Sequence, residues 1–419
     1  MRILLSAFAF SPVLGSECGV GWHWALALAK HHEVTVITHA WFRTDVEAEL
    51  ARRPVPRLQV VYVDVPPPWG RFERRLLDSQ LYYVYWQWKM RPVARDLVQR
   101  QTFDVVHHLT WGSLRYPSWL GGLGLPFIVG PLGGAETAPA RLFAGLPWKV
   151  QLKEALRTAV LWSFWLDVPT RLAWSRADRL YCRTRDTLAF LPASLRARAV
   201  VAHEVGVMDV VPRPTPVVRR ARTTFMFAGR LIAFKGVHLA LPALRAAVDR
   251  GADVALLIVG EGELDGFFKA RVQALGLTDR VRFVSRVPQS ELMNLYHQAD
   301  AFLFPSLHDS GGTVVMEALS RGLPVICLDL GGPHHFITPA CGMVVSTAGR
   351  SQGEVVDALA EAVVQFHALS TPARQALHDE AVARARRMGW AERAAAVYDD
   401  VRQQVPQCAE ALRRLEGEA

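Results

Sequence analysis

The chain reads as an α/β protein made of two Rossmann-like, doubly wound parallel-sheet domains facing each other across a cleft. Three observations lead there. Strand-length apolar runs alternate with segments of helical period along both halves. The 419 residues amount to about two domains at the usual allotment of roughly 100–200 residues each. Between residues 205 and 223, VGVMDVVPRPTPVVRRART, proline and arginine cluster without periodicity before a fresh strand begins at Thr224.

In the first half the expected strands are RILLSAFAF (2–10), EVTVITHA (33–40), LQVVYVDV (58–65), DVVHHLT (104–110), FIVGPLGG (127–134) and RLYCRT (179–184). In the second they are TTFMFAG (223–229), ALLIVGEG (255–262), VRFVSRV (281–287), AFLFPS (301–306), PVICLDL (324–330) and GMVV (342–345). Helical periods lie between them, as in GVGWHWALALAKH, HLALPALRAAVDRG and TVVMEALSRG. The division expected is 1–205 for an acceptor-side domain, 206–385 for a donor-binding domain, and 386–419 for C-terminal helices that could pack back on the first. Ligands of open parallel sheets bind beyond the carboxyl ends of the strands, so the two domains would share a cleft there.

Composition excludes several classes. With 51% hydrophobic and 21% charged residues the chain can bury a core and is not disordered. The apolar start MRILLSAFAFSP is read as a buried first strand, because a turn follows at once and no small-residue cleavage site closes a long apolar run. No uncharged apolar stretch reaches the length of a spanning helix. Five scattered cysteines without a C-x-x-C pair favour a reducing, cytoplasmic setting and no structural zinc. His334 and His335 lack a third ligand at a recognised spacing, and no D-x-D triplet occurs, so no metal is expected.

The net charge of +9 is uneven: residues 1–200 hold 25 Lys+Arg against 15 Asp+Glu (+10), the remainder 23 against 24 (−1). Basic and aromatic residues alternate in 71–92 and 152–179. Such stretches suit a peripheral position on an anionic membrane surface, and equally suit ordinary amphipathic helices with aromatics in the core. Nucleic acid is not expected, since no binding motif accompanies the basic residues.

Two loops can carry chemistry. In FAGRLIAFKGVHLAL (227–241), Arg230 and Lys235 lie between Gly229 and Gly236 at a strand end. A guanidinium fork and a point charge converging there suit a pyrophosphate. In PSLHDSGGTVVMEALSRGLPVI (305–326), Asp309, Ser310, Gly311, Gly312 and Thr313 lead into a helix. Bare amides at Gly312 and Thr313 would suit phosphate oxygens. Glu317, on that helix, could accept two hydrogen bonds from a ribose diol.

Together GR-x4-K-G, the VGEGE strand end (Val259–Glu263), the acid-x7-Glu spacing of Asp309 and Glu317, and GLPVI resemble the family 4 retaining glycosyltransferases of GT-B fold, over nearly the whole chain. The resemblance implies a nucleotide diphosphate-sugar donor, of UDP or GDP type, with no cofactor. Arg230 and Lys235 would neutralise its pyrophosphate, Glu317 would hold the ribose, and Asp309 would contact the transferred sugar. Gly260 and the backbone around Ser285–Val287 would lie along the nucleotide. The family usually has Glu where this chain has Asp309, one methylene shorter.

The resemblance extends into the first half. SPVLGSECGVGWHW is similar to the family's N-terminal glycine loop, with Gly19 and Gly21 as candidates near the donor phosphate. FDVVHHLTWGS ends a strand in His107 and His108, one of which would contact the donor sugar, with His108 favoured. GPLGGAE ends another strand, and Gly133, Gly134 and Glu136 are candidates for the acceptor side. The expected activity is metal-independent, retaining transfer of a hexose-type sugar to a glycan or lipid-linked acceptor hydroxyl. A nucleotide-sugar epimerase or phosphorylase of the same fold, or a catalytically silent binding subunit, are the alternatives.

Overall fold

The computed structural model describes residues 1–65, 80–213, 217–218 and 220–408. Two units emerge: Met1–Ala135 with Val160–Val205 and the chain from Trp390, and Glu136–Ala159 with Gly206–Gly389.

The first unit carries β1 (Arg2–Ser6), β2 (Glu33–His39), β3 (Leu58–Val63), β4 (Val105–His108), β5 (Phe127–Leu132), β6 (Arg179–Cys182) and β7 (Ala199–Val201). All pair in parallel in the order β3-β2-β1-β4-β5-β6-β7. Helices cover both faces of such a sheet, so its central strands can be apolar on both sides. Every residue of β4 and β5 is buried. Beyond Arg2 the run 2–10 is buried, but strand pairing stops at Ser6: the residues after it cross the sheet end as a buried loop. Strand β7 has only three residues and was not among the expected strands.

The helix Trp390–Gln404 packs in this unit. Val397 and Val401 join Val20 and Trp24 in the core, while Asp400 makes a bidentate contact with Arg179 at 2.7 and 2.8 Å. The basic stretch 71–92 falls partly outside the described residues. Where it is described, in the helix Gln80–Arg100, Tyr83, Trp86 and Met90 are buried in the core and Trp88 is exposed.

The second unit carries β8 (Thr223–Ala228), β9 (Val254–Val259), β10 (Val281–Val284), β11 (Ala301–Phe304), β12 (Val325–Leu328) and β13 (Gly342–Val345), parallel in the order β10-β9-β8-β11-β12-β13. Both sheets are thus doubly wound. In each the strand order reverses beside the first strand, between β1 and β4 and between β8 and β11, and there the two outgoing loops diverge and leave room for a ligand.

One stretch departs from the expected division. Residues 136–159, placed by sequence in the first domain, pack with the second unit. The cause is a set of anchors to that unit's backbone and side chains. Arg141 donates to the carbonyls of Arg350 and Thr347, Gln352 donates to those of Leu142 and Ala144, and His238 bonds Leu142 O at 2.8 Å.

Gly21 illustrates how tightly the first sheet end is built. It lies inside the helix Glu17–Ala29, where alanine would ordinarily gain about 1 kcal/mol. A Cβ there would stand 2.3 Å from the Ala9 carbonyl oxygen and 3.0 Å from Thr110 Cγ2. Backbone cannot yield cheaply, and overpacking of this kind costs about 1–3 kcal/mol. Gly21→Ala should therefore lower the denaturant midpoint; a raised midpoint would show that the helix can move off the loop.

Candidate functional site

The loops leaving β8 and β11 are held together by backbone contact that only glycine permits. Gly236 has φ +78°, and a Cβ on it would sit 1.9 Å from the Pro305 carbonyl oxygen. Ser306 Oγ donates to Phe234 O and Leu307 N to the same oxygen, closing the two loops on each other. On the other side, a Cβ at Gly260 would stand 2.0 Å from Gly229 O. A third loop arrives at Gly332, whose amide donates to Asp309 O at 2.7 Å.

Within this frame Lys235 and Asp309 form a mostly buried ion pair, each side chain 14% exposed. The other carboxylate oxygen of Asp309 accepts the amides of Gly311 and Gly312 at 3.2 and 3.1 Å. Burial works against the charge of Asp309, but Lys235 and the two amides outweigh it and hold its carboxyl below the ordinary value of 3.8. The Lys235 ammonium also lies 5.3 Å from the Phe234 ring centre and 5.2 Å from that of Phe304.

The structure thereby revises one expectation. The Gly312 amide is not bare: the Asp309 side chain accepts it together with that of Gly311, in the turn that leads into the helix Thr313–Ser320. Asp309 meets the cation assigned to a phosphate, occupying the anion position itself. Arg230 is exposed, and its guanidinium makes no ion pair or hydrogen bond among the described residues. Thr313 is exposed, Ser310 and Val287 half-buried. The strand expected over 281–287 ends at Val284, so Ser285–Val287 form a loop beyond the sheet.

Glu317 is already engaged. Its two oxygens accept from Gln289 Nε2 at 2.8 Å and Tyr296 OH at 3.0 Å, and burial raises its pKa. Sequence reading missed both donors; they stand seven apart on one face of the helix Gln289–Tyr296, and that spacing is the available signal. It also missed the setting of His308. That ring stacks on Phe234 with 4.2 Å between centres and its Nε2 lies 2.9 Å from Glu154, which Arg157 also contacts at 3.2 Å. Burial lowers the His308 pKa despite Glu154, whereas Glu154 is held low by His308 and Arg157 against its own burial. A neutral imidazole donating Nε2–H to a carboxylate satisfies both. Nothing in the sequence links positions 154 and 308.

In the first unit the candidates part company. His107 bonds Tyr398 OH at 3.0 Å and Gly130 O at 2.8 Å, a core histidine held neutral by burial with its pKa near 4. His108 points to the opposite face, where Nε2 meets Tyr83 OH at 3.1 Å; Nδ1 has no partner among the described residues, and burial drops its pKa to about 3. Both are fully buried. Gly19 and Gly21 lie in the first turns of the helix Glu17–Ala29, where a Cβ on Gly21 would meet the Ala9 carbonyl. The residue that organises the loop before this helix is Glu17, which accepts the Trp111 amide at 2.6 Å and pairs with Arg183 at 3.2 Å. Gly133 bonds Gly112 O through its amide, and Gly134 is exposed at φ +103°. Glu136 is 2% exposed, a buried residue whose carbonyl accepts from Arg157. No cluster of His, Cys, Asp and Glu suited to a metal occurs among the described residues.

Residues 216–378 match the model of the family described as glycosyl transferases group 1. The match covers less than half of the chain. It contains the whole of the Lys235–Asp309 arrangement, so the group 1 domain and the site coincide. The chain is 31% identical over 225 residues to a D-inositol 3-phosphate glycosyltransferase of Corynebacterium glutamicum, covering 51% of this chain and 50% of that one. It is 29% identical over 198 residues to a GDP-mannose-dependent monoacylated alpha-(1-6)-phosphatidylinositol monomannoside mannosyltransferase of the same species, covering 46% of each. The chain thus spans about half the length of these curated relatives.

Solved structures extend the likeness of fold to the whole chain. WaaG, a glycosyltransferase involved in lipopolysaccharide biosynthesis, aligns with a TM-score of 0.55 at 18% identity over 95% of this chain and 98% of that one. HepE of Anabaena in complex with UDP and glucose aligns at 0.56 and 14% over 96% and 99%. The likeness is one of fold, and two all-parallel α/β units, the GT-B architecture, are what this chain shows.

The ion pair gives a pH prediction. A carboxyl whose folded pKa is depressed contributes stability that is complete above its unfolded value, near 3.8, and lost as pH falls through the lower folded value. Glu317, raised by burial, acts in the opposite sense. Asp309→Asn should therefore flatten the loss of stability on the acid side of pH 3.8 relative to the parent chain in urea melts. An unchanged acid limb would mean that Asp309 is not held ionised by Lys235.

Proposed function

We propose that this protein is a metal-independent, retaining glycosyltransferase that moves a hexose-type sugar from a nucleotide diphosphate-sugar, of UDP or GDP type, to a hydroxyl of a glycan or lipid-linked acceptor. The observation that carries the reading is the meeting of Lys235 and Asp309 at the carboxyl ends of β8 and β11, where the second sheet reverses order, with Arg230 exposed on the same loop as Lys235, inside the stretch that matches the group 1 model. The nucleotide-sugar chemistry named for HepE and for the mannosyltransferase relative supports it.

In this reading the free guanidinium of Arg230 and the ammonium of Lys235 stabilise charge that develops on the departing diphosphate, with the helix Thr313–Ser320 adding its positive N-terminal potential. Donor phosphate displaces or shares the Asp309 carboxylate, leaving that group free to meet the sugar. Glu317, fixed by Gln289 and Tyr296, offers its remaining lone pairs to the ribose. The bond from the anomeric carbon to the phosphate oxygen breaks, the acceptor oxygen bonds the same face, and its proton passes to the leaving phosphate. No carboxylate nucleophile beneath the sugar is invoked.

A silent donor-binding subunit is the second reading. It is favoured by the burial of both His107 and His108 and by the neutralisation of Lys235 in the pair with Asp309.

Isothermal titration of UDP- and GDP-sugars, followed by assay of hydrolysis and transfer, separates the two. The expected outcome is donor binding with slow hydrolysis. Binding should weaken by about tenfold or more in Lys235→Ala, which loses a charge-assisted contact worth about 1.5–3 kcal/mol, and also in Glu317→Ala. Binding without any turnover supports the silent subunit, and unchanged affinity in both variants removes the site from donor binding. Product inverted at the anomeric carbon by NMR overturns retention.

A further inference from the structure

The loops that carry Lys235 and Asp309 are joined in three successive contacts. Phe234 O accepts Ser306 Oγ at 3.0 Å and Leu307 N at 2.7 Å. Next in the chain, the His308 ring stacks on the Phe234 ring, with 4.2 Å between centres and 26° between planes. Then come the Asp309 carboxylate and the Lys235 ammonium themselves. The Phe234 ring serves both neighbours, because that ammonium lies 5.3 Å from its centre. A turn of the His308 ring therefore disturbs the aromatic bed of Lys235.

The His308 ring is held from the other side. Its Nε2 meets Glu154 Oε2 at 2.9 Å, and the same oxygen accepts Arg157 Nε at 3.2 Å. Arg157 is tied in turn to Glu136 O at 3.0 Å. The order is thus Arg157, Glu154, His308, Phe234, Lys235, each member set against the next.

Glu154 is not needed to fasten its own segment. Residues 136–159 are already held in the second unit by bonds from Gln352 to the carbonyls of Leu142 and Ala144, from His238 to Leu142 O, and from Arg141 to the carbonyls of Thr347 and Arg350. A carboxylate only 11% exposed is a costly tether where such bonds suffice. Its distinct effect is on His308, since accepting Nε2–H fixes both the tautomer and the ring plane. Without that acceptor the N–H of a buried ring is left unpaired, and rotation to another rotamer is its relief.

We propose that Glu154, which lies outside the residues matched by the family model, is a positioning residue for Lys235, acting through His308 and Phe234. Its consequence for donor binding rests on the reading of Lys235 as the cation that meets the diphosphate.

NMR of the nitrogen-labelled full chain reads the position of Lys235 without any donor. An ammonium locked in a buried ion pair exchanges slowly and gives a sharp signal, which Lys235→Ala identifies by its loss. That signal should persist in Glu154→Gln, whose amide oxygen still accepts from His308, and broaden or vanish in Glu154→Ala. His308→Ala should do the same, and adding Glu154→Ala to it should change nothing further, as two positions acting in series require. Arg141→Ala, which loosens the segment without touching His308, should leave the signal intact. Thermal midpoints near that of the parent chain show that each variant is folded. In titrations with UDP and GDP, Glu154→Ala should weaken binding by about 2- to 30-fold, the span for a residue acting through packed neighbours, with Glu154→Gln close to the parent. No sharp Lys235 signal in the parent chain, a sharp one in Glu154→Ala, or equal losses in Glu154→Ala and Arg141→Ala overturns the proposal. Loss of the signal on removing Glu154 or His308, in a chain that binds neither UDP nor GDP or whose affinity does not change, sustains the positioning role and overturns the donor reading instead.

Discussion

The ion pair between Lys235 and Asp309 organises the second unit's site. Two charges with little exposure to water are stable only where geometry and further hydrogen bonds offset desolvation, and here the amides of Gly311 and Gly312 supply them. Those amides belong to the turn just before the helix Thr313–Ser320, so the same carboxylate that neutralises Lys235 also fixes the turn that leads into that helix. Glu317 rides on that helix and is fixed against Gln289 and Tyr296. Position of the loop, start of the helix and orientation of the second carboxylate are therefore coupled through one side chain. Its length matters: an added methylene would move the oxygens away from either the amides or the ammonium.

The backbone beneath this pair is glycine-built. At Gly236 a side chain would collide with Pro305 and at Gly260 with Gly229, so the loops that carry the cations and the acid approach main chain to main chain. This keeps Arg230 and Lys235 on a short, rigid span although one is exposed and the other enclosed. The first unit uses the same device at Gly21, but to seat a helix on the loop after β1.

Much of this was legible in the sequence, for identifiable reasons. Strands buried on both faces are apolar runs of the right length, and the glycines at 229, 236, 311 and 312 stand where strand gives way to helix. The acid-x7-Glu spacing placed Asp309 and Glu317 on one loop and helix. What the sequence could not convey was pairing at long range. His107 and His108 are neighbours on a strand and so point to opposite faces, but that Tyr398 would occupy the face of His107 depends on a helix 291 residues away. Likewise, the partnership of Glu154 with His308 carries no motif. Gly21 also has a packing reason to be glycine, since a Cβ there would meet the Ala9 carbonyl, and a glycine needed for close packing leaves the same trace as one needed for a ligand.

The placement of residues 136–159 bears on how the protein can be divided. The chain passes from one unit to the other at 135/136, 159/160, 205/206 and 389/390, so neither unit is a single uninterrupted length of polypeptide. A gene fragment cut to the family boundaries at 216 and 378 would leave out Glu154 and abandon His308 without its carboxylate. It would also strip Arg141 from the carbonyls of Thr347 and Arg350. During synthesis the segment that completes the second unit emerges before that unit exists, and must wait for some two hundred residues to follow before Arg350 arrives to receive it.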